Sequence, residues 1–264
     1  KFFAAWRGLA GCDKALGMEN VLFFGQIRPH DREIVYIVDI VSSEQIDGEF
    51  LLTGKAFVHV DGAPVYTMGT VQLGSAFWEN NGPARPSEAA PPADSPLRRG
   101  LSYEEFTAKN SFSQAEIIAI SQGTLVENPP VEMGLLPSAL MLGLDQVHRI
   151  AYDPASGEGT VCASQHNSGL EWFYPMSCME KPTALSIDSL WQLLGLFLTW
   201  CKGPGTGRAL GFDRVEIFDS ITPRDRRIIY ELQILKISRS LTTSDLFVKA
   251  DGRDFNPILG TGGN

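Results

Sequence analysis

The chain has 264 residues, 44% of them hydrophobic, and a net charge of −9. That length accommodates one large domain or two smaller ones, each with its own core. The acidic balance excludes a nucleic-acid binder, which needs an excess of Lys and Arg to neutralise phosphates.

The chain opens Lys-Phe-Phe-Ala-Ala-Trp, with no apolar region followed by a cleavage tripeptide, so no secretory leader is expected. Strand-like alternation in "NVLFFGQI", "EIVYIVDIVSS", "EFLLTGKAFVHVDG" and "APVYTMGTVQL" predicts an antiparallel meander with Gly, Pro and Asp-Gly turns. Residues 82–100, "GPARPSEAAPPADSPLRRG", hold few large apolar side chains and read as a linker. Beyond it, Ser102 followed by Glu105 in "SYEEFTAKN" marks a capping-box helix start, and "SQAEIIAIS" reads as a second short helix. "LPSALMLGLDQVHRI" begins in turn residues and passes into a strand, and "GEGTVCASQH" and "GLEWFYP" read as strands. A long apolar helix follows over about residues 186–201, closed by "KGPGTG". That glycine-rich stretch follows a helix rather than opening one, so it is a helix stop and not a phosphate cradle. "RVEIFDSI", "RRIIYELQILKIS" and "DLFVKADG" return to strand alternation, and residues 257–264 are left as a tail.

The two regions flanking the linker are related. Phe3 to Ile40 aligns without a gap on Phe197 to Ile234, with 15 of 38 positions identical, among them Trp6/Trp200, Pro29/Pro223 and Tyr36/Tyr230. "FVHVDG" (Phe57 to Gly62) then matches "FVKADG" (Phe247 to Gly252). One structural unit is duplicated. The second copy carries about 90 residues ahead of Phe197, but the first copy has only two ahead of Phe3. The first copy therefore lacks its N-terminal half in this sequence, and the chain is expected to be a fragment or to act with a region outside it. The expected organisation is residues 1–81 as half of the first unit, 101–256 as the second unit, and a helix followed by an antiparallel sheet in each.

Chemistry concentrates on the apolar helix. Its longest apolar run, Leu193 to Trp200, is interrupted by Gly195 and Thr199 and falls short of the roughly 20 residues of a bilayer span. At helical spacing, Asp188, Gln192, Gly195 and Thr199 form one polar and small stripe. With the helix starting near 186, Asp188 lies in its first turn, where it is either a cap favoured by the helix dipole or a catalytic carboxyl. Four cysteines, Cys12, Cys162, Cys178 and Cys201, show no metal-ligand spacing and read as reduced thiols of a cytoplasmic protein. His30, His59, His148 and His166 fall in turns or strands and read as surface or packing residues.

"SIDSLWQLLGLFLTWCKGPGTGRALGFDRVEIFDSITP" closely resembles the central helix and following strand of the FabA-type 3-hydroxyacyl-[acyl carrier protein] dehydratases, and the similarity covers nearly all of 101–252. The first copy resembles that family's second half, through "VDGAPVYTMGTVQLG". Two such units resemble the tandem dehydratase domains of polyunsaturated fatty acid and polyketide synthases. The resemblance implies an α+β double hotdog, each hotdog a long helix wrapped by an antiparallel sheet, packed as a pseudo-dimer that can pair further as a homodimer. It implies dehydration of a (3R)-hydroxyacyl thioester on acyl carrier protein, within a multienzyme synthase, with no metal or redox cofactor, no nucleic acid and no membrane span. Asp188 matches the family's catalytic Asp and Gln192 the Gln four positions on. Trp172, Tyr174, Trp191 and Cys178 are the expected substrate-binding residues, the aromatic three as a tunnel wall. The family's His lies in a "CHFxGDPVMPG" segment, but the corresponding "WFYPMSCMEKPTALSID" is three residues shorter and has no His. Tyr174 or Ser177 stands there, depending on the direction of counting, so the base is expected from outside this chain. A hotdog thioesterase and a non-catalytic hotdog scaffold that docks the carrier are the rival expectations.

Overall fold

The computed structural model describes residues 2–9, 14–46, 49–74, 100–130, 133–202, 207–238 and 241–263. The expected linker and Cys12 lie outside the described residues. The chain divides into two compact units, the first formed by residues 1–83, 209–218 and 256–262 and the second by 84–208, 219–255 and 263–264.

In the first unit, helix α1 (Phe2–Trp6) precedes strands β1 (Lys14–Phe23), β2 (Ile34–Ile46), β3 (Glu49–Val60) and β4 (Ala63–Gly74). The four strands form an antiparallel sheet in the order β2-β3-β4-β1. Ala4 and Leu52 are buried together, with Phe3, Leu9, Phe50 and Leu73 packed around them, so α1 seats on β3 and β4 through its small and aromatic residues.

In the second unit, α2 (Tyr103–Ala108) and α3 (Gln114–Ser121) each start at a complete capping box, Ser102/Glu105 and Ser113/Glu116. Strands β5 (Gln146–Asp153) and β6 (Glu158–His166) form a hairpin and are followed by the long helix α4 (Thr183–Lys202). β7 (Ala209–Glu216) pairs antiparallel with β1, from Gly17 against Glu216 to Leu22 against Gly211, and so belongs to the first unit rather than to the block 101–256. β8 (Arg227–Ile237) and β9 (Thr242–Ala250) complete the second unit's antiparallel sheet in the order β5-β6-β8-β9. α4 packs on β8, β6 and β9, and Leu190, Leu193 and Phe197 on the helix and Tyr230, Leu232, Leu246 and Val248 on the strands are all buried. By length and composition α4 could cross a membrane, but half of that stretch is buried inside this unit, as expected of a central core helix. The residues expected as a tail continue strand β10 (Arg253–Gly263).

The duplication extends to backbone detail. Asp61 and Asp251 hold equivalent positive-φ positions, each followed by a positive-φ Gly, as two-residue hairpin turns require. Asp61 accepts the N–H groups of Arg32 and Glu33, and Asp251 those of Arg226 and Arg227. Asp31 accepts the N–H of Arg28, and Asp225 that of Thr222. The irregularity at Ile40/Ser42 on β2 recurs at Ile234/Lys236 on β8.

Candidate functional site

α4 starts at Thr183, directly after Pro182, three residues before the expected start. Asp188 therefore stands in the second turn and does not cap the helix; the first turn holds no acid. The cap reading fails for that reason. Asp188 is instead a half-buried carboxyl on an apolar helix.

Its partner is the residue four positions on. Gln192 Nε2 donates to Asp188 Oδ2 at 2.7 Å and to the carbonyl of Met141 at 2.8 Å. The backbone N–H of Gly143 donates to Gln192 Oε1 at 2.9 Å. The amide of Gln192 is thus fixed at both ends by the loop ahead of β5, and its orientation sets that of Asp188. The loop comes this close because residue 143 has no side chain: a Cβ there would sit 2.1 Å from Ser189 Oγ. Of the stripe's other members, Gly195 faces open space, whereas Thr199 is buried and its carbonyl accepts the Tyr103 hydroxyl at 2.9 Å.

The expected substrate-binding residues do not form one group. Trp172 is exposed, its Nε1 donating to the carbonyl of Leu140 at 3.3 Å, so it joins Leu140 and Met141 as an apolar rim beside the loop that holds Gln192. Trp191 is half-buried. Tyr174, expected as tunnel wall, is 1% exposed, and its hydroxyl donates to Asn167 Oδ1 at 2.8 Å. Burial pushes that hydroxyl above its ordinary pKa, so Tyr174 is a neutral core residue. Cys178 is exposed and left-handed at φ 56°, next to Met179 at 61°. "GLEWFYP", expected as a strand, is turns and a short 3₁₀ helix, Tyr174–Met176, with Pro175 among its first residues.

Sequence reasoning missed the buried polar cluster behind the helix. Lys181 is 6% exposed; its Nζ donates to Gln165 Oε1 at 2.6 Å and to the Tyr230 hydroxyl at 2.5 Å, and Tyr230 donates to the same Gln165 oxygen at 2.9 Å. Burial pulls Lys181 down to about 7, against the opposing pull of Glu171, Asp145 and Asp188. Burial likewise raises Asp145, which accepts the His166 backbone N–H at 2.5 Å. The only sequence signal was Lys181 standing directly before Pro182 at the helix start, and surface exposure is the default for a Lys.

His166 ends β6, and its Nε2 is buried with no hydrogen-bond partner among the described residues; the other three histidines occupy ordinary positions. His148 Nε2 lies 2.7 Å from Ser164 Oγ and 2.9 Å from Arg227 Nη2, and burial followed by the Arg227 charge lowers its pKa. His30 is exposed, 3.8 Å from Asp31, and His59 pairs with Val35 across β2 and β3. Among the described residues Cys162, Cys178 and Cys201 form no disulfide, and no His/Cys/Asp/Glu group could hold a metal ion.

Residues 136–255, which carry Asp188 and Gln192, match the model of the FabA-like domain family, and the resemblance drawn from the sequence holds over that segment. The chain is similar in fold to the dehydratase domain from the CurJ module of the curacin polyketide synthase (14% identity, TM-score 0.54, 100% of this chain and 79% of that one). It is also similar to a trans-AT polyketide synthase dehydratase domain from Brevibacillus brevis (11% identity, TM-score 0.54, 97% and 77%). A third similar structure is a Novosphingobium aromaticivorans protein provisionally described as a thioesterase (15% identity, TM-score 0.51, 98% and 81%). The fold is the double hotdog of the polyketide synthase dehydratase domains, antiparallel sheet with a long central helix.

Proposed function

We propose that this chain is the acid-bearing part of a dehydratase acting on (3R)-hydroxyacyl thioesters carried on acyl carrier protein. The observation that carries the reading is the Asp188–Gln192–Met141/Gly143 chain of hydrogen bonds on an otherwise apolar helix. Gln192 occupies Oδ2 of Asp188, leaving Oδ1 to carry the proton. A base removes the proton at C2, the C2–H electrons form the C2=C3 bond, and the C3–O bond breaks. Asp188 in its acid form gives its proton to the departing hydroxyl, which leaves as water. Only C–H and C–O bonds break, so the reaction calls for no metal or redox cofactor. The base is assigned to a group outside these residues, since Tyr174 or Ser177 stands where the family carries its His. Leu140, Met141 and Trp172 supply an apolar surface for the acyl chain. The setting is a cytoplasmic multienzyme synthase, of the polyunsaturated fatty acid or polyketide kind, whose other domains and carrier protein are the partners.

The test is Asp188→Asn in the assembled synthase, with a (3R)-hydroxyacyl thioester on carrier protein. Loss of enoyl thioester formation by roughly 10²–10⁴-fold supports the reading. Unchanged dehydration overturns it and leaves a scaffold. The thioesterase reading has the Novosphingobium aromaticivorans neighbour in its favour. It predicts free acid rather than enoyl thioester as the product.

A further inference from the structure

Lys181 is held at both ends in a place that is costly for a lysine. Its backbone N–H donates to the carbonyl of Ile221 at 2.7 Å, one residue ahead of Pro182 and the start of α4. Its side chain is buried, and both partners of Nζ, Gln165 and the Tyr230 hydroxyl, are neutral. Among the described residues no carboxylate contacts it, and Glu171, Asp145 and Asp188 act on it through space. A methionine would fill the same room without burying an ammonium. The contacts beyond Tyr230 lead to the acid. Tyr230 meets the side chain of Ser189, the neighbour of Asp188 on α4. Ser189 Oγ donates to the carbonyl of Leu185 at 2.8 Å and is closed over by Gly143, whose N–H holds Gln192. Gln192 in turn holds Asp188 Oδ2. Lys181 and Asp188 are therefore the two ends of one continuous run of contacts. The other titratable groups around the lysine are Glu171, in the loop after β6, and Asp145, ahead of β5. His166 at the end of β6 faces Asp145, and Tyr174 stands beside Glu171 and Tyr230.

We infer that Lys181 is a positioning residue for Asp188. It holds Tyr230 and Ser189 so that Gly143 and Gln192 keep the carboxyl aimed, and its charge acts on that carboxyl. The inference rests on the proposed reaction, in which Asp188 is the acid. Lys181 itself does not meet substrate, because Gln165 and Tyr230 enclose its Nζ. Its charge changes near neutrality, since burial pulls its pKa down to about 7. Coupling between two titrating groups is reciprocal, so loss of the Lys181 proton favours the protonated Asp188 that the reaction uses.

The experiment labels the aspartate carboxyl carbons of the 264-residue chain with carbon-13 and follows the Asp188 resonance against pH by NMR. Asp188→Asn assigns that resonance by its loss. An inflection at about pH 7 is expected, and Lys181→Met should abolish it. A wild-type resonance without the inflection overturns the inference, as does an inflection that survives the substitution. If Lys181→Met does not fold, the lysine Cε resonances of the wild-type chain decide. The one that titrates near neutrality must share its midpoint with the Asp188 inflection, and separate midpoints overturn the inference. In the assembled synthase, Lys181→Met should lower kcat for dehydration roughly 10-fold with KM unchanged, and should remove the step near pH 7 from the kcat profile. An unchanged kcat at every pH overturns the positioning role. A synthase that shows the NMR inflection yet forms no enoyl thioester removes the proposed reaction and leaves the coupling of Lys181 to Asp188 standing.

Discussion

Tyr36 and Tyr230 descend from the same position of a duplicated unit, on strands with the same irregularity one turn further on, yet one is 71% exposed and the other fully buried. The difference does not lie in the strands, whose apolar alternation and Asp-Gly turns are shared. It lies in what precedes them. The second copy has β5, β6 and α4 ahead of its strands, whereas among the described residues the first copy has only α1. Identical local patterns thus reach different energetic ends, because burial is supplied by a partner element and not by the strand itself.

The sharpest way to break this comparison is to truncate both tyrosines. Tyr230→Ala should cost about 3–5 kcal/mol by denaturant unfolding, whereas Tyr36→Ala should stay within about 0.5 kcal/mol. Equal losses would mean that β2 is covered. Gly143→Ala should cost about 1–3 kcal/mol, because its Cβ meets Ser189. It should also free Gln192 and lower dehydration in the assembled synthase, whereas unaltered stability would show that the loop can withdraw.

Lys181, the partner Tyr36 lacks, gives the second copy a pH signature. Its folded pKa of about 7 is below its ordinary 10.5, so between these values the unfolded chain binds more protons and stability rises with pH. About 1 kcal/mol should be gained between pH 7 and 8, and Lys181→Met should flatten that slope. A slope that survives the substitution assigns it to another group. The smallest effect tests what the copies share. Asp61→Ala and Asp251→Ala each remove a carboxylate accepting two backbone N–H groups and should each cost about 1 kcal/mol. Unequal losses would show that the two turns are not energetically equivalent.

Much of this was legible in the sequence. The repeat, the meander, the capping box at Ser102 and the central helix follow from periodicity and turn residues, which act locally. The Asp188–Gln192 pair was legible as a spacing of four on an apolar helix. The rest depended on contacts that no window contains. The start of α4 was misplaced because the stretch from Thr183 carries no strong cap, and Asp188 lost its first-turn reading with it. Tyr174 sits in the core because Asn167 receives its hydroxyl, and Lys181 is buried because Gln165 and Tyr230 receive its ammonium. β7 joined the first unit through pairing with β1, a partner far away along the chain.

That pairing has a consequence for synthesis. β2, β3 and β4 are joined by short connections and can pair as soon as they leave the ribosome, but β7 follows β1 by about two hundred residues. At ordinary elongation rates, β1 waits roughly 10–40 s for that neighbour, its edge open to any other nascent strand. Yield in a fast-translating host should therefore respond to slower elongation or lower temperature more than to substitutions in the finished core.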